Sequence, residues 1–147
     1  MAQIGKLEAQ TEIKSSADKF YGFFKNNIKR LVEMFPQNLK SCEVLGGGGE
    51  LRTGTVMSWK YDLGTRLEAK VKVQALDEEN KSFTFVVTEG DVLKLYNSFK
   101  AKLEVSGGLV KWSLEFDKAN QNAPNPDPHL DLAIKVSKGL DDYLYNN

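Results

Sequence analysis

The chain opens with alternation: Leu7, Ala9, Thr11 and Ile13 on one side, Lys6, Glu8, Gln10, Glu12 and Lys14 on the other. A period of two with one apolar side predicts a half-buried strand. Ser15-Ser16-Ala17-Asp18 then reads as a capping box, in which a serine oxygen takes an orphan helix N–H and Asp18 reaches back. The apolar period changes at once to that of a helix, through Phe20, Phe23, Phe24, Ile28, Leu31, Val32 and Phe35. Asn26-Asn27 predicts a break into two short helices, and Phe35-Pro36 ends them.

The pattern then returns to strands almost to the end. Residues 42–45 precede the run Gly46, Gly47, Gly48 and Gly49, and residues 55–61 carry Met57, Trp59 and Tyr61 on one face. Leu67, Ala69, Val71, Val73 and Ala75 alternate with Arg66, Glu68, Lys70, Lys72 and Gln74. An acidic turn, Asp77-Glu78-Glu79-Asn80-Lys81, leads to Phe83, Phe85 and Val87. Phe99, Ala101, Leu103 and Val105, then a hairpin loop at Ser106-Gly107-Gly108, then Val110, Trp112, Leu114 and Phe116 complete an antiparallel meander with one wet face. Asp127 as N-cap and Pro128 as first helical residue predict a last helix. Its apolar face is Leu130, Ala133, Ile134, Ser137, Leu140 and Leu144, with Gly139 in its interior. The order is strand, two short helices, six strands and a long helix: an α+β fold in which that helix covers the apolar face of the sheet.

Composition narrows the chemistry. The 147 residues form one predicted domain, 1–147, long enough to bury a core without staples. Twenty Lys and Arg balance twenty Asp and Glu, so no basic excess marks a nucleic-acid binder. One cysteine, Cys42, allows neither an internal disulfide nor a Cys-based zinc site, and it reads as a small buried hydrophobe. One histidine, His129, allows no His-pair metal motif, and with no nucleophile motif pointing at it a solvent-facing or capping role is expected. No signal peptide is evident, and no apolar run approaches the ~18 residues of a membrane span. A soluble, cytoplasmic protein with no metal, no cofactor and no integral membrane association follows as the expectation.

The glycine run is not a nucleotide loop. Gly49-Glu50-Leu51-Arg52-Thr53-Gly54 has the spacing of a P-loop's outer glycines, but Thr55-Val56 stands where Lys and Ser/Thr are needed. Strands follow it, so no helix N-terminus is at hand for an anion. The consecutive carboxylates Asp77-Glu78-Glu79 do not converge on a metal, and Gly90 in Glu89-Gly90-Asp91 is expected at positive φ in a tight turn. Tyr96, Tyr143 and Tyr145 could supply polar tips to a ligand.

The whole chain resembles the major latex protein branch of the plant Bet v 1-like superfamily. The resemblance is carried by Ile13-Lys14-Ser15-Ser16-Ala17-Asp18-Lys19-Phe20-Tyr21 and by Asp77-Glu78-Glu79-Asn80-Lys81 leading to Glu89-Gly90-Asp91-Val92. Trp59 after the glycines, and Leu114-Glu115-Phe116 before a proline-containing entry to the last helix, add to it. It implies a helix-grip fold: a curved seven-stranded antiparallel sheet wrapped around the long C-terminal helix, with two short helices between strands 1 and 2. It also implies an apolar cavity between sheet and helix that takes hydrophobic plant molecules such as sterols, flavonoids, cytokinins and fatty acids, with a role in defence and stress. The run Gly46, Gly47, Gly48, Gly49 occupies the place of the superfamily's glycine-rich loop.

Taken alone, the aromatic side chains of the sheet suit a solid core as well as a cavity wall, and the resemblance favours the wall. The expected lining is Phe23, Met57, Trp59, Tyr61, Phe83, Phe85, Phe99, Ala101, Trp112 and Leu114, closed by Leu130, Ala133, Ile134, Ser137 and Leu140. Entry would pass between the glycine loop, the neighbouring hairpins and the helix. The expected partner is therefore a small hydrophobic ligand held by a monomer or weak dimer. A cavity-based enzyme needs a buried Lys with Glu and Tyr or Asp, yet Lys60, Lys70, Lys72, Lys100, Lys102 and Lys111 alternate outward. A surface interaction module with a filled core is the third reading.

Overall fold

The computed structural model describes residues 4–46 and 49–146. Strand β1 (Ile4–Glu12) is followed by helix α1 (Ala17–Asn27), a 3₁₀ turn (Ile28–Arg30) and helix α2 (Leu31–Met34). Then come β2 (Leu39–Leu45), β3 (Val56–Asp62), β4 (Arg66–Asp77), β5 (Ser82–Gly90), a second 3₁₀ turn (Asp91–Lys94), β6 (Tyr96–Ser106), β7 (Leu109–Lys118) and α3 (Asp127–Asn146). The seven strands form one open antiparallel sheet in the order β1-β7-β6-β5-β4-β3-β2. Helix α3 packs on β1 and β7 at one end of that order and against α1 and α2. This is the helix-grip arrangement expected, with the paired short helices between the first two strands.

Local chemistry departs from expectation at three places. The cap of α1 is Ser16, whose Oγ accepts from the Lys19 N–H at 3.1 Å. Asp18 does not close a capping box; it pairs with Lys81 across the molecule at 3.1 Å, and Ser15 is taken by Asp141. Second, the Leu130 N–H bonds the Pro126 carbonyl at 3.3 Å, so α3 starts one residue early. Buried Pro126 then holds the cap position, and Asp127 lies in the first turn, where its charge suits the helix dipole. Third, register shifts on β4 at Lys70/Val71 and Val73/Ala75 are bulges. The second bulge breaks the period of two: Ala75 is exposed and Leu76 turns inward opposite Phe83.

Close approach dictates glycine at Gly5, against the Phe116 ring, and at two further positions. A Cβ on Gly139 would lie 2.6 Å from the Phe35 ring, so the glycine inside α3 lets the end of the short-helix pair dock against it. Gly90 has φ 137° at the end of β5, and a Cβ there would meet the Glu68 carbonyl at 2.3 Å. The positive φ is as expected, but Gly90 ends a strand beside β4 rather than turning a loop.

Packing is dense where α1, β5, β6, β7 and the second half of α3 meet. Tyr21 stacks on Phe83 at 4.8 Å, Phe83 on Phe85 at 5.6 Å, and Phe20 on Phe24 at 5.5 Å. Phe20, Phe83, Phe116, Leu103, Val110, Ser137 and Leu140 are fully buried. One carboxylate ties the region together. Asp141 accepts from Ser15 Oγ at 2.6 Å, the Ser15 N–H at 2.8 Å and the Lys14 N–H at 2.9 Å, joining α3 to the β1–α1 connection. Burial pushes the Asp141 carboxyl up, but the Ser15 and Lys14 hydrogen bonds reverse this and leave it below the usual carboxylate range.

Candidate functional site

The other half of the sheet's inner face does not close on α3. Between β3–β7 and the first half of α3 lies a cavity of about 210 Å³. Strands contribute alternate residues: Met57, Trp59 and Tyr61 from β3, Ala69 and Val71 from β4, Phe85 and Val87 from β5, Phe99 and Ala101 from β6, Trp112 and Leu114 from β7. The short-helix pair adds Phe24, Ile28 and Leu31, β2 adds Leu39, and the second 3₁₀ turn adds Val92. Helix α3 adds His129, Leu132, Ala133 and Val136. Several of these apolar side chains, among them Trp59, Val71, Val87 and Leu132, are only half-buried, as side chains beside unfilled space are.

Of the expected lining, Met57, Trp59, Tyr61, Phe85, Phe99, Ala101, Trp112, Leu114 and Ala133 are on the wall. Six others are not. Phe23 points away, beside Tyr143 and the Arg30 guanidinium, and its neighbour Phe24 faces the cavity. Phe83 lies within the aromatic stack under α1. Leu130, Ser137 and Leu140 are buried in packed core, and Ile134 is half-buried off the cavity. The helix shows why for two of them: His129, Leu132, Ala133 and Val136 form one stripe, and Leu130, Ser137 and Asp141 form a second about 100° round, whereas Leu140 continues the first stripe one turn past Val136, where α3 is packed closed. Both read as helical periodicity, and only packing assigns one to the cavity. Of the glycine run, Gly46 and Gly49 are exposed and off the cavity wall, while Gly47 and Gly48 lie outside the described residues.

Sequence reasoning missed the main polar feature. His129 is neither solvent-facing nor a cap: its Nε2 lies 2.9 Å from the Tyr61 hydroxyl, on the cavity wall. The imidazole also contacts Phe99, with ring centres 5.3 Å apart. Burial lowers the His129 pKa and pushes the Tyr61 phenol up to about 12, so both are neutral near pH 7. The position of His129 in the first turn carried no sign that β3 would end opposite it. Trp112 has its indole N–H satisfied by Ser137 Oγ at 2.8 Å, and Ser137 in turn donates to the Ala133 carbonyl at 2.8 Å. Ser137 therefore serves the wall rather than a ligand.

The remaining tyrosines are not polar tips of the cavity. The Tyr96 hydroxyl donates to the Pro124 carbonyl, Tyr143 takes a bond from Arg30 at 2.9 Å, and Tyr145 is exposed. Cys42 is half-buried in β2, and burial pushes its thiol up to about 12, far from a thiolate nucleophile. Lys60, Lys70, Lys72 and Lys102 are exposed, Lys100 and Lys111 are half-buried, and among the described residues no Lys, Arg, Asp or Glu is on the wall. Among the described residues no group of three or more His, Cys, Asp or Glu could hold a metal ion. Among the same residues no helix is long and apolar enough to cross a membrane.

A sheet gripping a long helix over an apolar cavity has known counterparts. The Pathogenesis-related protein Bet v 1 family matches residues 2–147. The chain belongs to that family. Within the Bet v 1 family it is similar to MLP-like protein 43 of Arabidopsis thaliana, 34% identical across 96% of this chain and 93% of that protein. The crystal structure of ginseng major latex-like protein 151 from Panax ginseng superposes with a TM-score of 0.89 at 31% identity, covering 95% of this chain and 97% of that one. Norcoclaurine synthase from Thalictrum flavum, solved with dopamine and hydroxybenzaldehyde, shares the fold at a TM-score of 0.71 and 20% identity, over 93% of this chain and 86% of that one.

Proposed function

We propose that this Bet v 1-family chain binds a small hydrophobic molecule in the cavity between the sheet and α3, as an intracellular carrier or reservoir in plant defence or stress. The observation that carries the reading is the wall itself: about 210 Å³ lined by aliphatic and aromatic side chains with no formal charge among them. Such a wall contributes by burying apolar ligand surface, worth roughly 25 cal/mol per Å² before the costs of association. The volume lies below the roughly 300–1,000 Å³ common for drug-sized ligands. Within the classes the family resemblance suggests, this favours cytokinin-like or single flavonoid-like rings over sterols. Catalysis in the same cavity is the weaker reading, because acid–base chemistry of the Lys/Glu/Tyr kind has no lysine or carboxylate on this wall.

Titration with 1-aminoanthracene, an uncharged fluorescent probe of apolar sites, tests the proposal. Emission should rise saturably with one probe per chain and fall when a cytokinin or flavonoid is added. Ala133→Leu, which puts a larger side chain into the cavity, should weaken the signal. No saturable emission, or emission that Ala133→Leu leaves unchanged, would overturn cavity binding.

A further inference from the structure

The cavity wall is almost pure hydrocarbon, and its polar capacity is concentrated where the end of β3 meets the start of α3. Tyr61 and His129 are the lining residues whose side chains can both donate and accept hydrogen bonds. The Trp112 indole is donor-only and already engaged by Ser137. We infer that the Tyr61–His129 pair is the polar anchor of the cavity, and that the ligand is an uncharged, small apolar molecule carrying one hydroxyl or carbonyl oxygen. This rests on the ligand-binding reading above and adds the chemistry of the ligand to it.

The hydrogen-bond arithmetic supports the anchor. One bond, at 2.9 Å, joins the phenol to Nε2, and it leaves the pair with capacity to spare in either tautomer. If the phenol donates to Nε2, its oxygen still accepts from a ligand hydroxyl. If Nε2–H donates, the phenol O–H is free for a ligand carbonyl or hydroxyl oxygen. The ring geometry keeps the pair in place: His129 meets Tyr61 edge-on at 5.6 Å between ring centres and leans on Phe99. The Tyr61 ring is itself buried. Burial keeps both groups neutral near pH 7, which suits a neutral partner.

Charge excludes the carboxylate class. A buried carboxylate needs a cation or several donors to offset its desolvation. No Lys or Arg is on the wall, and the imidazole there resists protonation because it is buried. Fatty acids and other anions are therefore disfavoured against phenols, alcohols and ketones of the same size.

Titration calorimetry with naphthalene, 2-naphthol and 2-naphthoate separates these terms, because the ring is constant and one substituent changes. The wild type should bind 2-naphthol about five- to tenfold tighter than naphthalene, as one added neutral hydrogen bond allows, and should bind 2-naphthoate most weakly. Tyr61→Phe keeps the ring and removes the hydroxyl; the ratio of 2-naphthol to naphthalene affinity should fall to about one. His129→Leu should reduce the same preference, and an unchanged far-ultraviolet circular dichroism spectrum with one cooperative thermal transition serves as the check that each variant is folded. Equal affinity for naphthalene and 2-naphthol in the wild type, or a preference that survives both substitutions, overturns the anchor while leaving cavity binding intact. Tightest binding of 2-naphthoate overturns the uncharged class. No binding of any of the three by the wild type removes the ligand-binding reading, and the anchor with it.

Discussion

One helical turn of α3 separates Ala133 from Ser137, and the two face different interiors. Ala133 lies on the cavity wall with Leu132 and Val136. Ser137 is fully buried, receives the Trp112 indole N–H and returns a bond to the Ala133 carbonyl. The two halves do not differ in hydrophobic content, since aromatic and aliphatic residues dominate both. They differ in how α3 is held. At its far end Asp141 clamps the helix to Ser15 and Lys14, and close packing follows. Nearer its start, α3 is tied to the β2–β3 side by Lys135 to Asn38 at 2.6 Å and by His129 to Tyr61, contacts made across a gap that apolar side chains leave unfilled. Polar contacts thus hold α3 toward both ends, and the hollow lies beside the half nearer its start.

The largest expected effect is at the clamp. Asp141→Ala leaves two buried donors and one part-buried donor without an acceptor and should lower stability by roughly 3–5 kcal/mol in urea unfolding. Tyr61→Phe at the hollow end should lower it by less than about 1 kcal/mol. Equal losses would erase the distinction between the ends.

The clamp also has a pH signature. Because the folded protein holds the Asp141 carboxyl below its ordinary value, its contribution is complete above about pH 4 and is lost as pH falls through the lower folded value. Asp141→Asn should therefore flatten the acid side of the stability profile below about pH 4. A variant profile parallel to the wild type would show that other carboxylates govern acid unfolding.

Size tolerance sharpens the same contrast. Ser137→Leu overfills a packed position and strands the Trp112 N–H, an expected loss of about 2–3 kcal/mol. Ala133→Leu extends into open volume and should change stability by no more than about 0.5 kcal/mol. Thermal unfolding of the two variants reads the difference directly, and similar losses would mean that the cavity is not free space in solution.

The smallest effect concerns Tyr21. Among the described residues its hydroxyl is buried with no hydrogen-bond partner, although its ring stacks on Phe83. Tyr21→Phe removes a desolvated polar group and keeps the ring, so stability should rise by about 0.5–1 kcal/mol in chemical denaturation. A loss would mean that the hydroxyl has a partner in solution.

Strand identity was legible because alternation such as Phe99, Ala101, Leu103 and Val105 against Lys100, Lys102 and Glu104 leaves one way to bury the apolar side. The bulge at Val73/Ala75 was not, since nothing in the local pattern separates an inward Ala75 from an inward Leu76. Phe23 and Phe24 are adjacent phenylalanines on one helix, and which of them sees the cavity depends on how α1 is rotated against the sheet. His129 was misread because its partner lies 68 residues away on β3, a contact that no local pattern encodes.

By itself the sequence determined the element order, the antiparallel meander, the covering helix and the absence of a charged inner face, because periodicity and residue chemistry are local properties of the chain. Only the tertiary structure decided which of two stripes on α3 faces the cavity, that the middle of the sheet is left uncovered, and that Tyr61 meets His129. Those outcomes depend on helix rotation and on the distance between layers. Both are set by contacts remote in sequence, and the same apolar side chains could line a hollow or fill it.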